Sequence, residues 1–163
     1  MQVFVLRRCA KILPLVAGLF LFGGLAWAQP QASSPVGWWL DQSGKAGIFI
    51  SQCGKDLCGR IGWLRKPLDA EGQPVLDVHN ETASLRSRKV CGLWMLGDFV
   101  ADGPDAWKGG WIYDPAGGKT YRSVMHLEAD GSLHVRGFVG IPLFGRSEIW
   151  RRPAAPMAPC TGN

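Results

Sequence analysis

The sequence is short of the side chains from which reactive sites are usually built: three histidines and two tyrosines in 163 residues. None of the histidines lies close to Cys53 and Cys58, so that CxxxxC spacing does not complete a zinc set. Charged residues make up only 19% of the chain, and the two signs are scattered. Arg86-Ser87-Arg88-Lys89 forms the one basic run, which reads as a solvated helix end. A nucleic-acid partner would want a clustered basic face, so that class is set aside. Helical periodicity is also scarce. No 3.6-residue pattern of useful length appears except "NETASLRSRK" at 80–89, where Asn80 could cap a short helix. Gly117-Gly118-Lys119-Thr120 lacks the P-loop spacing, because Tyr113 stands where the first glycine would be needed, and it reads as a hairpin turn.

What is present begins with a leader. Arg7, Arg8 and Lys11 precede an apolar run from Ile12 to Leu25, and Ala26-Trp27-Ala28 supplies the small-x-small cleavage pattern. The run is shorter than the roughly 20 residues that span a bilayer and is broken by Pro14 and Gly18. We therefore expect a signal peptide over 1–28, a periplasmic or secreted mature chain, and no stable membrane insertion after cleavage. Cys9 precedes the apolar run, so no lipoprotein position follows it. The leader holds three of the 18 basic residues and none of the 13 acidic ones, so the net charge falls from +5 to +2 on its removal. Cys53, Cys58, Cys91 and Cys160 remain, an even number that suits disulfides in an exported chain. Of the three pairings possible, Cys53–Cys58 across a hairpin with Cys91–Cys160 tying down the tail is preferred. Chain-entropy bookkeeping makes the first bridge worth about 2 kcal/mol and the second about 4.

The mature chain is sized for one domain, placed at 36–152, with a Pro/Ala-rich tail at 153–163. Strand-like runs separated by turn signals fall at 36–40, 45–53, 58–65, 91–99, 109–113, 119–127, 132–139 and 146–152. Alternation sets Ile48, Ile50, Ile61 and Trp63 on one face, and Phe49, Ser51, Cys53, Cys58, Arg60 and Gly62 on the other. Tyr121, Ser123, Met125 and Leu127 share parity with Leu133, Val135 and Gly137 if Ala129-Asp130-Gly131 forms a three-residue turn. The expected fold is all-β: an eight-stranded antiparallel up-and-down barrel with one short helix in a long connection, a flattened sandwich being the alternative. Two segments, "RKPLDAEGQPVLDVHN" and "GDFVADGPDAWKGG", read as long loops.

Gly37-Trp38-Trp39 on the first strand and Trp150-Arg151-Arg152 on the last resemble the calycin arrangement, in which a Gly-x-Trp lies under a basic residue at one end of the barrel. A guanidinium over an indole gains about 0.5 to 2 kcal/mol, so Gly37, Trp39, Trp150 and Arg152, or Arg151 in its place, carry a structural role. The ordered set "GWWL", "LCGRIGWL", "DVHNETASLRSR", "CGLWML", "YDPAGGKTYRS" and "VRGFVGIPLFGRSEIWRR" is similar to the exported bacterial family called domain of unknown function 2147. That resemblance implies a calycin-like, lipocalin-like β-barrel outside the cytoplasm and brings no established reaction. The paired Trp38-Trp39 departs from the family, which more often has one Trp followed by a polar residue.

The functional expectation is an exported protein that binds a small, partly apolar molecule or an envelope component, as a monomer or weak dimer, without cofactor, metal or chemistry of its own. Its ligand would meet Trp63, Tyr121 and Met125 on the inner face, Asp77, Asn80 and Arg86 at the mouth, and Phe144. Trp94, Trp107 and Trp111 are further mouth candidates, while parity points Arg136 outward. The alternative is a structural or interaction module with a filled barrel and an exposed apolar patch. A hydrolytic set of Asp77, His79 and Ser84 can be drawn on one loop, but Ser84 sits on no nucleophile elbow. His126 and His134 should face each other across a hairpin on the outer face, with no third metal ligand in view. The apolar run Ile141-Pro142-Leu143-Phe144, between Gly140 and Gly145, is expected to be a flap at the barrel end away from Trp39 and Arg152.

Overall fold

The computed structural model describes residues 34–160; the expected leader at 1–28 lies outside them. Eight strands follow one another in sequence and in space: β1 (Gly37–Leu40), β2 (Ala46–Cys53), β3 (Asp56–Leu64), β4 (Trp94–Ala101), β5 (Ala106–Asp114), β6 (Lys119–Leu127), β7 (Leu133–Phe138) and β8 (Gly145–Trp150). Every neighbour pair is antiparallel. The sheet curls until its ends meet at Leu40 and Arg151, which exchange backbone hydrogen bonds of 2.8 and 3.1 Å. Because β1 is only four residues long, it reaches β8 at that point alone. The side chain of Gln42 takes over one step beyond, accepting the Ile149 amide at 2.9 Å. The expected antiparallel barrel is what forms, with a narrow closure.

Alternation explains the core. Trp39, Ile48, Ile50, Leu57, Leu96, Phe99, Trp107, Met125, Leu127, Leu133, Val135 and Trp150 turn inward and form one buried cluster. Ile61, Val90, Leu93 and Tyr113 make a second, under the long β3–β4 connection. Side chains thus occupy the interior around these two clusters. Close-packed interiors of this kind leave few voids larger than a water molecule.

Three departures from the sequence reading have local causes. First, Ile48 pairs with Ile61 but Gly47 pairs with Trp63, so Gly62 is an extra residue in β3. A bulge of this kind re-aims the side chain beyond it. Trp63 therefore leaves the inner face and shares the outward side with Gly47, whose missing Cβ would meet Trp63 Cβ at 3.0 Å and Met157 Sδ at 2.7 Å. Second, "GDFVADGPDAWKGG" is mostly strand: β4 runs on to Ala101 and β5 starts at Ala106. Asp98 and Gly109 hold positive φ of 62° and 77° within these strands, and such irregularities hide the alternation from a period-two search. Third, the helix expected at 80–89 is only a 3₁₀ turn, Ala83–Leu85. Thr82, not Asn80, stands at its N-cap; Asn80 lies two residues earlier, where its Oδ1 accepts the Thr82 amide and its Nδ2 donates to Asp77.

The hairpins obey turn chemistry. Cys53 pairs with Asp56, leaving Gly54-Lys55 as a two-residue turn rather than the four-residue loop expected, and Gly54 has the positive φ (66°) that a first position of type II′ requires. Cys58 pairs with Ser51, which puts it diagonal to Cys53, and the two form a disulfide with Cα atoms 5.8 Å apart. Cys91 and Cys160 form the other, at 6.1 Å. At the β6–β7 hairpin Ala129-Asp130-Gly131 is the loop, closed by the Glu128 amide donating to Ser132 O at 2.8 Å, with Gly131 at φ 79°.

Candidate functional site

The end carrying Trp39 is built as the Gly-x-Trp pattern suggested. Arg152 lies over the Trp39 ring at 3.8 Å. Its Nη1 donates to Val36 O and Trp38 O at 3.0 and 3.3 Å, and its Nη2 to Ser34 O at 2.7 Å. A Cβ on Gly37 would stand 2.8 Å from Nη1, so glycine is needed there for space as well as for its φ of 114°. Arg151, the other candidate, turns to Asp130 at 3.6 Å. Partial desolvation lowers the Arg152 pKa from its ordinary value. Trp150 is fully buried and donates Nε1 to Glu148 at 2.9 Å.

At the opposite end, residues 65–93 cross the barrel and bring Asp77 and Asn80 into it. Asp77 is 0% exposed and its carboxylate is fully engaged. Tyr113 donates its hydroxyl to Oδ1 at 2.5 Å, while Asn80 Nδ2 and Arg88 Nε both reach Oδ2 at 2.9 Å. Asn80 Nδ2 also donates to the Tyr113 oxygen at 2.8 Å, and Arg88 lies 5.3 Å over that ring. Burial, and then the neighbouring Asp77 carboxylate, push the Tyr113 phenol upward. Arg86 Nε donates to Asn80 O at 2.8 Å. Gly118 on the β5–β6 turn accepts the Glu81 amide, and its absent Cβ would fall 1.7 Å from His79 O. Asp77, Asn80 and Arg86, expected at a ligand mouth, are thus brought together as a closed polar knot that fastens the connection to β5. The Asp77 carboxylate is spent on Tyr113, Asn80 and Arg88, whereas His79 and Ser84 are exposed on the loop, so the hydrolytic set is not assembled.

The remaining expected residues part company. Tyr121 is half-buried beside Gly137 on the inner face, and Met125 is buried in the core. Trp63 faces outward after the bulge. Trp107 is in the core, and Trp111 donates Nε1 to Asp98 at 2.9 Å across the surface of Gly97. His126 and His134 face each other, each with Nδ1 near the Glu128 carboxylate, at 3.2 and 3.5 Å. Among the described residues no group of three or more His, Cys, Asp or Glu could hold a metal ion. Phe144 is exposed, as are the other side chains of the 141–144 loop. The loop's carbonyls receive Arg136 on the outer face, Nε to Pro142 O at 2.6 Å and Nη2 to Leu143 O at 3.3 Å.

Two depressions open to solvent. One, about 250 Å³, lies beside Val36 and Lys55 over Leu57, Phe99 and Trp107. The larger, about 310 Å³, is a groove on the outer wall of β1–β4 lined by Trp38, Phe49, Arg60 and Trp94 and bounded by Pro159 and Cys160. Arg60 stacks on Trp94 at 3.7 Å, and Trp38 meets Phe49 edge-on at 5.3 Å. The floor exists because Gly62 has no side chain: a Cβ there would stand 2.5 Å from the Trp38 ring. The Cys91–Cys160 bridge and the Cys160 amide, which donates to Gly62 O at 2.7 Å, hold the tail as one wall. Trp38, Phe49 and Arg60 were missed as site residues although alternation already set Phe49 and Arg60 on one face. An outward face is ordinarily solvent, and only the tail, distant in sequence, turns this one into a groove.

Among known proteins, the Helicobacter pylori protein HP1028, described as belonging to the lipocalin family, is similar in structure, with a TM-score of 0.62 and 22% identity over 73% of this chain and 82% of that one. No curated protein matches the chain. The likeness to HP1028 concerns the fold. Over residues 37–152, from the glycine under Arg152 to that arginine itself, the chain matches the family model described as "Uncharacterized protein conserved in bacteria (DUF2147)", and it belongs to that family.

Proposed function

We propose that this protein is exported and binds a small, flat, partly apolar molecule in the outer-wall groove, with no chemistry of its own. The carrying observation is the groove itself: an aromatic floor and walls with a single guanidinium, within the volume range of small-molecule sites. Trp94 is 43% exposed, so part of its indole surface remains open to a ligand beside the stacked Arg60. Arg60 would face an anionic or hydrogen-bonding end of the ligand while Trp38 and Trp94 take its flat part. Export is supported by two disulfides and by the leader-like charge and hydropathy pattern of residues 1–28. Among the described residues no helix is long and apolar enough to cross a membrane. The lipocalin-like fold supports a binding role, but with the interior occupied the ligand belongs on the wall.

Native mass spectrometry of protein purified from its own cell envelope tests this reading. A reproducible retained mass, lost in Trp94→Ala, is the expected result; a retained mass indifferent to Trp94→Ala would move the site elsewhere. A clean apo mass, together with unchanged Trp fluorescence on titration with envelope extracts, would overturn it.

A further inference from the structure

The loop between β7 and β8 presents the opposite of a normal turn. Val139, Ile141, Leu143 and Phe144 are 67, 53, 76 and 69% exposed, four large apolar side chains within six residues. Scattered single exposures are ordinary, whereas a contiguous set marks an interaction surface. The backbone beneath them is held firmly. Val139 N donates to Phe144 O and Phe144 N to Ile141 O, both at 3.0 Å. Arg122 Nη1 donates to Gly140 O at 3.1 Å, and Arg136 grips the Pro142 and Leu143 carbonyls and Ser147 Oγ. The apolar side chains therefore stay displayed rather than folding back onto the barrel.

Along the strands that carry the loop and the one beside them, the charge nearest to it has one sign. Residues 115–127 and 132–147 contain no Asp or Glu, while Arg122, Arg136 and Arg146 lie in these stretches. Glu148, the next acid along β8, is drawn to the Trp150 indole. Lys119, farther off, is near Glu81 at 4.0 Å and adds little. Arginines whose donors are used up on carbonyls keep their charge, because a carbonyl neutralises nothing. The result is a compact apolar tip with the Arg122 and Arg136 guanidinium groups at its base and the exposed Arg146 just after it in sequence.

We propose that this loop docks the protein onto the surface of an anionic phospholipid bilayer. Leu143 and Phe144 enter the boundary between headgroups and acyl chains, and Arg122, Arg136 and Arg146 meet the phosphates. Apolar insertion and electrostatic attraction add in interfacial binding, and each cation near an anionic surface contributes measurably. A proteinaceous partner with an apolar pocket would have little use for an acid-free rim, whereas a phosphate surface is its complement. The groove, on the outer wall of β1–β4, shares no lining residue with this attachment point.

The test is flotation of the full mature chain with vesicles of phosphatidylethanolamine and phosphatidylglycerol, and with vesicles of phosphatidylcholine alone. The expected result is binding to the first and little to the second, weakened by added salt. The double substitution Leu143→Ser with Phe144→Ser should cut the bound fraction about tenfold or more, and Arg146→Ala about fivefold. Trp94→Ala, in the groove, should leave it unchanged. Circular dichroism of each variant checks that folding is intact. Absence of binding to the anionic vesicles overturns the proposal, as does equal binding to both vesicle types or binding indifferent to the Leu143 and Phe144 changes. A dimer in sedimentation that dissolves on the same double substitution would also overturn it, by making the tip a contact between copies.

Discussion

Two connections leave the same end of the barrel and behave in opposite ways. The β3–β4 connection, residues 65–93, is polar in sequence, yet it carries Asp77 and Asn80 inward and saturates them with Tyr113, Arg88 and each other. The β7–β8 loop is apolar in sequence, yet it turns Ile141, Leu143 and Phe144 outward over a backbone gripped by arginines. Hydropathy alone would have reversed these placements. The lesson is that a buried polar group is inexpensive once every donor and acceptor is used, and that a short loop has nowhere to hide a side chain once its carbonyls are pinned.

The comparison can be broken at several points. Replacing Cys91 and Cys160 by Ser releases the far end of the polar connection from the tail and should cost about 4 kcal/mol in urea unfolding. A loss under about 1 kcal/mol would mean that the connection holds itself in place. Asp77→Ala leaves the Tyr113 hydroxyl and the Asn80 amide without their shared acceptor, and should cost about 3 kcal/mol, read from the same unfolding curves.

Tyr113→Phe removes one donor and should cost about 1 to 2 kcal/mol. It should also change the alkaline limb. The folded-state pKa of Tyr113 lies above its ordinary 10.0, through burial and the nearby Asp77. The neutral phenol's contribution is therefore complete below that value and is lost as pH rises through the folded pKa. The wild type should thus lose stability more steeply above pH 10 than Tyr113→Phe does, as thermal melts across that range would show. The smallest effect belongs to the other connection. Leu143→Ser with Phe144→Ser should shift stability by less than about 0.5 kcal/mol, because neither side chain is buried. A loss of several kcal/mol would show that the loop covers the core after all.

Much of the fold was legible. The alternation of β2, β6 and β7, the three-residue turn at Ala129-Asp130-Gly131 and the Cys53–Cys58 bridge follow from local chemistry, because turn residues and parity leave few registers open; Cys91–Cys160 is then the pair that remains. Trp63 and Trp107 were misplaced for one shared reason: bulges at Gly62 and around Asp98 and Gly109 break the period-two count, and nothing in a single strand announces an extra residue. The candidate site was less legible. Asp77 and Asn80 were recognised as special, but their partner Tyr113 is 36 and 33 residues away, so the knot could not be told from a ligand mouth. Phe49 and Arg60 sat on a face that looked like solvent until Pro159 and Cys160 closed over it.

Sequence alone pointed to a meander of eight strands, favoured one pairing of the four cysteines, and set Trp39 under Arg152 or Arg151 at one end. Those features depend on neighbours within a hairpin or on rare residues at the chain's two ends. It took the packing of distant elements to show that two clusters fill the interior around them, that the polar connection is a lock, and that the groove lies on the outer wall. Each of these turns on which distant side chain fills a given space, and packing of that kind has no period to be read along the chain.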